Sequence, residues 1–260
     1  MTKIDRHQEI KRECIRYYRR EAPGYDKARF SCECNKLYDR MSKEIVYSYL
    51  KDCKYVLDAG TGTGRFAIYL AQRGLNVVAI DSSREMIEIA RKKAEREGCQ
   101  HRIQFIVADI ENLPLRDRSV DGFCSIIVLI HLVCRDYALS ELSRVLKSNG
   151  ILVLDVPNKL LSRAYRPFLR LVGKTSFQDY HYSLGEIKKL LSANSVALAE
   201  RRTFDKLPRL IVHLLLCILG LKFLGGVIER FEVFNFGGTS IIKGLKVANE
   251  NPPDNPNIHP

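Results

Sequence analysis

Three aspartates and a glycine-rich turn recur at a spacing that suits one shared ligand. Asp58 precedes the turn GTGTG at residues 60–64, and Asp81 and Asp109 each follow a later apolar run. Each of these apolar runs has the character of a β-strand, and parallel strands bring their carboxyl ends to one edge of a sheet, where ligands bind. We therefore expect the three carboxylates and the glycine turn to contact a single ligand.

The residue types narrow the chemistry of that ligand. Glycine permits positive φ and close approach of a ligand, and the N–H groups that open the next helix face outward. Asp81 follows the turn by one helix and one strand, a position from which a carboxylate can accept both hydroxyls of a ribose. NAD is the rival interpretation, because residues 62–67 satisfy G-x-G-x-x-A. Asp58 would repel a pyrophosphate, however, and favours a ligand with an amino group.

The elements that must position these residues alternate along the chain. Strand-like runs are followed by helical patterns that we expect to close at Gly74, Gly98 and Gly150. Continuous apolar strands separated by amphipathic helices predict a parallel, doubly wound α/β sheet covered on both faces. Before this region we predict helices over residues 4–20 and 36–51 with an irregular piece between them. After it, VALAERRTF and FGGTSIIKGLKV predict two more strands.

Charge and cysteine content bound the surroundings of the protein. The net charge is +12, yet residues 55–158 are balanced, with 13 Lys and Arg against 13 Asp and Glu, so the excess lies in the flanking segments. Those flanks are either a solvated surface or a site for an anionic partner such as a phosphate-bearing substrate, RNA or an acidic membrane. The eight cysteines include no CxxC pair. We expect reduced cysteines, no metal site, and a cytoplasmic protein without a secretory signal.

Four successive motifs resemble a known family. They are VLDAGTGTGRF, VVAIDSSREMIEIARKKA, VADIENLPLRDRSVDGF and LSELSRVLKSNGILVLDVPN. They resemble the class I S-adenosyl-L-methionine (SAM)-dependent methyltransferases, and more narrowly the type 11 group that includes ubiquinone and menaquinone C-methyltransferases. The resemblance covers residues 17 to about 158, because YYRREAPGYDK is similar to the tyrosine-bearing cap of that group. It implies a seven-stranded Rossmann-like sheet, mostly parallel with one antiparallel strand near the C-terminus, and SAM as the cofactor.

The resemblance also implies roles for individual residues. Asp58 and the glycine backbone should face the methionine portion of SAM, Asp81 the ribose, and Asp109 the adenine amino group, while Ile126 and Ile127 should line the path to the methyl group. The candidate catalytic residues are His131, His181 and Tyr18. The complete set of implied cofactor-binding residues is Tyr18, Asp58, Gly60, Thr61, Gly62, Asp81, Ser82, Met86, Asp109, Ile110 and Ile126.

The predicted organisation is an N-terminal helical cap over residues 1–50, a SAM-binding domain over 51–248 and a disordered tail over 249–260. An apolar insertion at about 207–230 is expected to be a lid or an interfacial helix. It should not span a membrane, because the strands before and after it should share one sheet. We predict methyl transfer to a small apolar or amphipathic acceptor, lipid-like acceptors included, with peripheral membrane contact left open. The less favoured alternative is a nucleic-acid or protein methyltransferase that uses the basic flanks.

Overall fold

A computed structural model of the chain describes residues 3–31, 33–132, 134–157, 183–204 and 239–247. The described strands are β1 (Tyr55–Ala59), β2 (Asn76–Asp81), β3 (Ile103–Val107), β4 (Val120–Ser125), β5 (Leu146–Pro157), β6 (Val196–Phe204) and β7 (Thr239–Lys246). The described helices are α1 (Lys3–Glu21), α2 (Tyr25–Phe30), α3 (Glu33–Leu50), α4 (Arg65–Ala71), α5 (Arg84–Arg96), α6 (Arg135–Val145) and α7 (Leu184–Ala193).

All seven described strands form one sheet in the order β3-β2-β1-β4-β5-β7-β6. Strands β1 to β5 are mutually parallel, whereas β7 runs antiparallel to both β5 and β6. The chain order reverses between β1 and β4, and open α/β sheets bind ligands in the crevice at such a reversal. The predicted doubly wound, seven-stranded sheet with one antiparallel strand is therefore confirmed.

Helices cover both faces of the sheet, which explains why the central strands are apolar throughout. Val56 and Leu57 are neighbours on β1 and point to opposite faces, and both are fully buried. Val56 packs with residues of α3 and α4, whereas Leu57 packs with residues of α6 and α7. A strand buried on both faces needs apolar side chains at successive positions, so alternation disappears.

Two local predictions differ from the structure. The segment expected to be irregular between the first helices contains a short 3₁₀ turn at Ala22–Gly24 and the helix α2. Helix α6 ends at Val145 and not at Gly150. The reason is that Leu146 is fully buried and begins β5, where it pairs with Val120 of β4. Helix α3 contributes Leu50 to the core that packs on the sheet.

Two predictions concern segments beyond the described ranges. The apolar insertion at about 207–230 and the tail at 249–260 lie outside the described residues. Of the helices that the structure does describe, none combines the length and the apolarity needed to cross a membrane.

Candidate functional site

The glycine turn is tied to two neighbouring segments of the fold. The backbone N–H groups of Gly60 and Thr61 both donate to the carbonyl oxygen of Ile80, at 2.8 and 2.9 Å. Gly60 has φ +78°, and a Cβ added there would lie 2.3 Å from Cγ2 of Val128. Only glycine therefore fits at residue 60, since both the backbone conformation and the packing exclude a side chain. The turn is held against β2 on one side and against the segment after β4 on the other.

Asp58 lies beneath the glycine turn. Its carboxylate is 2% exposed, and Oδ2 accepts hydrogen bonds from Thr61 Oγ1 at 2.6 Å and from the Ala67 N–H at 2.9 Å. Burial raises the pKa of Asp58 to about 6, against the opposing effect of these hydrogen bonds. Asp58 is absent from the lining of the cavity described below. It was expected to face the ligand, but its observed contacts link the turn to the first turn of α4.

Asp81 ends β2 and contacts the same turn from the side of the cavity described below. Its Oδ2 accepts from the Gly62 N–H at 2.8 Å, and Oδ1 accepts from the Ser83 N–H at 2.9 Å. Burial raises the pKa of Asp81, although the backbone hydrogen bonds oppose that shift. A carboxylate has about four lone-pair sites, so each oxygen keeps the capacity to accept one further hydroxyl.

A cavity opens at the carboxyl ends of β1, β2, β3 and β4, as the sequence predicted for a doubly wound sheet. It brings together every implied cofactor residue except Asp58, and it includes the catalytic candidates Tyr18 and His131. His181 lies outside the described residues. The predicted residues that line the cavity are Tyr18, Gly60, Thr61, Gly62, Asp81, Ser82, Met86, Asp109, Ile110, Ile126 and His131.

A polar cluster between α1 and the segment after β3 was missed by the sequence analysis. Lys11 forms ion pairs with Asp109 and Glu111, and His7 Nε2 lies 2.9 Å from Glu111 Oε2. Burial alone would lower the pKa of Lys11, but its hydrogen bonds with the two carboxylates raise it. Asp109, expected to meet the adenine amino group, is thus already paired with a cation of the cap.

One face of α1 lines the cavity, and the sequence motifs identified only Tyr18 on it. The lining residues of this face are His7, Lys11, Cys14, Ile15 and Tyr18. They are spaced by three or four residues or are adjacent, which is the spacing of one helical face. That periodicity was the available signal, but a mixed polar and apolar face does not by itself predict ligand contact.

The two described catalytic candidates contact each other in the cavity. Tyr18 Oη lies 2.7 Å from His131 Nε2, and the ring centroids are 5.3 Å apart. Burial raises the pKa of Tyr18 far above its usual range, with further increases from neighbouring groups partly offset by Arg29. Tyr18 therefore keeps its proton at neutral pH, and the imidazole tautomer decides whether its hydroxyl donates to His131 Nε2 or accepts from it.

Two further parts of the cavity wall are apolar. Met86 and Ile110 are buried beside Asp81 and Asp109, on the side where the sequence predicted an adenine ring. A second apolar stretch follows β4 and separates the glycine turn from His131. Its cavity-lining members are Ile126, Ile127, Val128 and Leu132.

Gly62→Ala tests whether the glycine turn is open to a ligand. Gly62 has φ +54°, and no described atom lies within 4 Å of an added Cβ. The left-handed conformation costs an alanine about 1–2 kcal/mol of stability, and the methyl group would also occupy the space where a ligand approaches. Gly74→Ala is the matched control, since Gly74 has φ +93° and equally open surroundings at the end of α4, outside the cavity. We expect similar losses of stability by thermal unfolding, but loss of SAM binding by calorimetry only for Gly62→Ala. Equal SAM affinity in the two variants would contradict this placement of the ligand.

The chain is similar to methyltransferases in sequence and in fold. Residues 57–154 match the family described as "Methyltransferase domain". Magnesium protoporphyrin IX methyltransferase (ChlM) of Synechocystis, solved with bound SAH, superposes with a TM-score of 0.64 at 19% identity. That alignment covers 89% of this chain and 99% of that chain. Residues 57–154 are therefore similar to methyltransferase domains, and the chain has the Rossmann-like fold of the Synechocystis methyltransferase, as its motifs indicated.

Two methyltransferases are similar to this chain in sequence. It is 38% identical to the methyltransferase GfsG of Streptomyces halstedii over 120 residues, which are 46% of this chain and 41% of the relative. It is 29% identical to the ubiquinone/menaquinone biosynthesis C-methyltransferase UbiE of Campylobacter jejuni over 246 residues, covering 90% of this chain and 97% of the relative. The chain thus spans less than half the length of the first relative but nearly all of the second.

Proposed function

We propose that the protein is a SAM-dependent methyltransferase that methylates a small apolar or amphipathic acceptor. The observation that carries this proposal is the cavity at the switch point of the sheet. A glycine turn and a ribose-type carboxylate form one part of its lining, and an apolar wall forms another. The Synechocystis methyltransferase, which has a similar fold and was solved with bound SAH, supports the choice of cofactor.

The residues in the cavity fit the parts of SAM. The carboxylate of Asp81 suits the two ribose hydroxyls, because both of its oxygens retain acceptor capacity. Met86 and Ile110 offer an apolar surface for adenine, and the open face of Gly62 allows the methionine portion to approach the backbone. Asp58 acts indirectly in this assignment, since it holds the turn through Thr61 and the Ala67 N–H.

SAM, when bound, supplies a methyl group activated on a sulfonium. The chain must then hold the acceptor in line with that methyl group and exclude water. Positioning of this kind can supply about 7–11 kcal/mol of the barrier. Tyr18 and Tyr25 line the cavity from the cap and restrict access to water. His131, with Nε2 occupied by the Tyr18 hydroxyl, is assigned to orienting the acceptor, or to taking its proton after a change of hydrogen-bond partner.

The apolar wall favours an apolar acceptor, because its side chains cannot form hydrogen bonds with the polar edge of a nucleobase. The wall is formed by Ile126, Ile127, Val128 and Leu132. The ubiquinone/menaquinone C-methyltransferase similar to this chain along most of its length supports a small acceptor. Lipid-like acceptors and peripheral contact with a membrane belong to the same proposal. The basic flanks alone favour nucleic acid or protein less strongly, since charge without a matching site is common on a solvated surface.

Transfer of tritium from methyl-labelled SAM tests this function directly. The protein is incubated with SAM and with separate lipid, quinone, RNA and protein fractions of the native cell. We expect label in the lipid or quinone fraction, and no label when the Asp81→Ala variant replaces the protein. Label confined to RNA or protein would reject the apolar acceptor, and absence of SAM binding would reject the activity itself.

Closure of the cap over SAM should be visible by limited proteolysis. Asp26 accepts a hydrogen bond from Thr63 Oγ1 at 2.7 Å and pairs with Lys93 at 2.7 Å, so the 22–30 segment is attached to the cofactor side of the domain. Bound SAM would add contacts with Tyr18 and Tyr25. We expect trypsin cleavage at the exposed residues Arg20 and Lys27 to slow several-fold when SAM is added. Cleavage at the exposed Lys92, outside the cavity, is the internal control. Unchanged cleavage at all three sites would show that SAM does not order the cap.

A further inference from the structure

Ile127 has an unusual backbone conformation for its residue type. Its φ is +63°, in the left-handed region that β-branched residues rarely adopt. The other described non-glycine residues with positive φ are Arg118, Asn149 and Ser195, and none of these lines the cavity, whereas Ile127 does. Rare backbone conformations persist only where surrounding contacts impose them, and they concentrate at functional sites.

A buried carboxylate on the neighbouring strand holds this conformation. Asp155 of β5 is 3% exposed, and its Oδ1 accepts a hydrogen bond from the Ile127 N–H at 2.7 Å. Ser125 is the last paired residue of β4, and its partner on β5 is Leu154. Asp155 is the next residue along β5. The carboxylate accepts an N–H that a continuing strand would have given to a backbone carbonyl. The chain can therefore leave the sheet at this point without an unsatisfied donor.

The turned segment links Ile127 to the glycine turn and to His131. Val128 directly follows Ile127 and occupies the space beside Gly60 where a side chain would otherwise lie. The Val128 carbonyl then accepts from the His131 N–H at 2.9 Å, in the 3₁₀ turn Leu129–His131. Reorientation of Ile127 would therefore displace the apolar wall and the histidine together.

We propose that Asp155 is a positioning residue for methyl transfer. It holds Ile127 in its left-handed conformation, and that conformation directs the apolar wall and His131 toward the acceptor. Asp155 does not line the cavity, so its effect on the reaction passes through the backbone of residues 127–131. This inference rests on the proposed function, because it specifies how the acceptor side of the same cavity is built.

Asp155→Ala is the principal test, with SAM binding and transfer to the lipid or quinone fraction measured separately. We expect the initial rate of tritium transfer to fall about 10- to 100-fold, the range that a small misplacement of reacting groups causes. The dissociation constant of SAM should change less than about threefold, since Asp155 lies outside the cofactor contacts. Asp155→Asn keeps an acceptor oxygen and should recover most of the rate.

Asp121→Ala is the matched control. Asp121 also accepts backbone N–H groups, from Lys54 at 3.0 Å and Tyr55 at 2.8 Å, but it lies at the opposite end of the strands. It should therefore lower thermal stability without lowering the transfer rate of the folded protein. An equal loss of rate in the two variants would show that Asp155 acts only through general stability, and the proposal would fail.

A spectroscopic measurement makes the test independent of the acceptor. The imidazole ¹⁵N resonances of His131 report its contact with Tyr18, so Asp155→Ala should shift them, whereas Asp121→Ala should not. The double variant Asp155→Ala/Ile127→Gly should restore them, because glycine adopts positive φ without help from the carboxylate. If Asp155→Ala alone does not fold, the double variant provides the measurement of the His131 resonances. Unchanged His131 resonances in Asp155→Ala would overturn the positioning role, whether or not the wild-type protein transfers a methyl group. Absence of methyl transfer by the wild-type protein would count only against the proposed function.

Discussion

Asp81→Ala should weaken SAM binding by about 10- to 150-fold, measured by titration calorimetry. The expected loss corresponds to about 1.5–3 kcal/mol, the usual contribution of hydrogen bonds to a charged group. The carboxylate also accepts the N–H groups of Gly62 and Ser83. Its removal therefore withdraws the ribose acceptor and frees the glycine turn at once, which places the effect toward the upper end of the range.

Two comparisons make this result specific. Glu95→Ala removes an exposed carboxylate from α5, outside the cavity, and should leave SAM affinity unchanged. NAD titrated into wild-type protein should give no binding heat, whereas SAM and its demethylated product should both bind. Wild-type preference for NAD would reject the cofactor assignment. Full SAM affinity in a folded Asp81→Ala variant would reject the ribose contact alone.

His131→Ala should lower the rate of methyl transfer about 100-fold or more if the acceptor must lose a proton, since general bases contribute about 10²–10⁴-fold. The proposed cofactor contacts lie on the glycine turn and on Asp81, so SAM affinity should change little. Tyr18→Phe keeps the ring over the cavity but removes the hydroxyl that is hydrogen-bonded to His131 Nε2. It should produce a smaller loss of rate, because the imidazole remains while its orientation relaxes.

Exposed residues of the same types provide the controls. His101→Ala and Tyr137→Phe change side chains outside the cavity and should leave the transfer rate unaltered. If His131→Ala instead weakened SAM binding and transfer by the same factor, its contribution would be to the cofactor site and not to the acceptor. A wild-type rate in the same variant would remove His131 from the mechanism.

Local sequence patterns were sufficient to predict the sheet and the edge where the site lies. Val56 and Leu57 are both buried because helices cover both faces, and that requirement is visible as a continuous apolar run. The turn contains glycines because its backbone requires positive φ, which is +78° at Gly60 and +54° at Gly62. The end of α6 was misplaced, because the pairing of Leu146 with Val120 depends on a distant strand.

Contacts between segments far apart in the chain decided the rest. Asp58 has the residue type expected of a ligand contact, yet burial and its bonds to Thr61 and Ala67 place it under the turn. Lys11 reaches Asp109 from the middle of the N-terminal helix α1, and Asp155 meets Ile127 from a neighbouring strand. A sequence specifies which residues can bind or carry charge through their chemistry and local spacing. Which partner each residue meets depends on how helices and strands pack, because a carboxylate responds to the groups within a few ångströms and not to its neighbours in the chain.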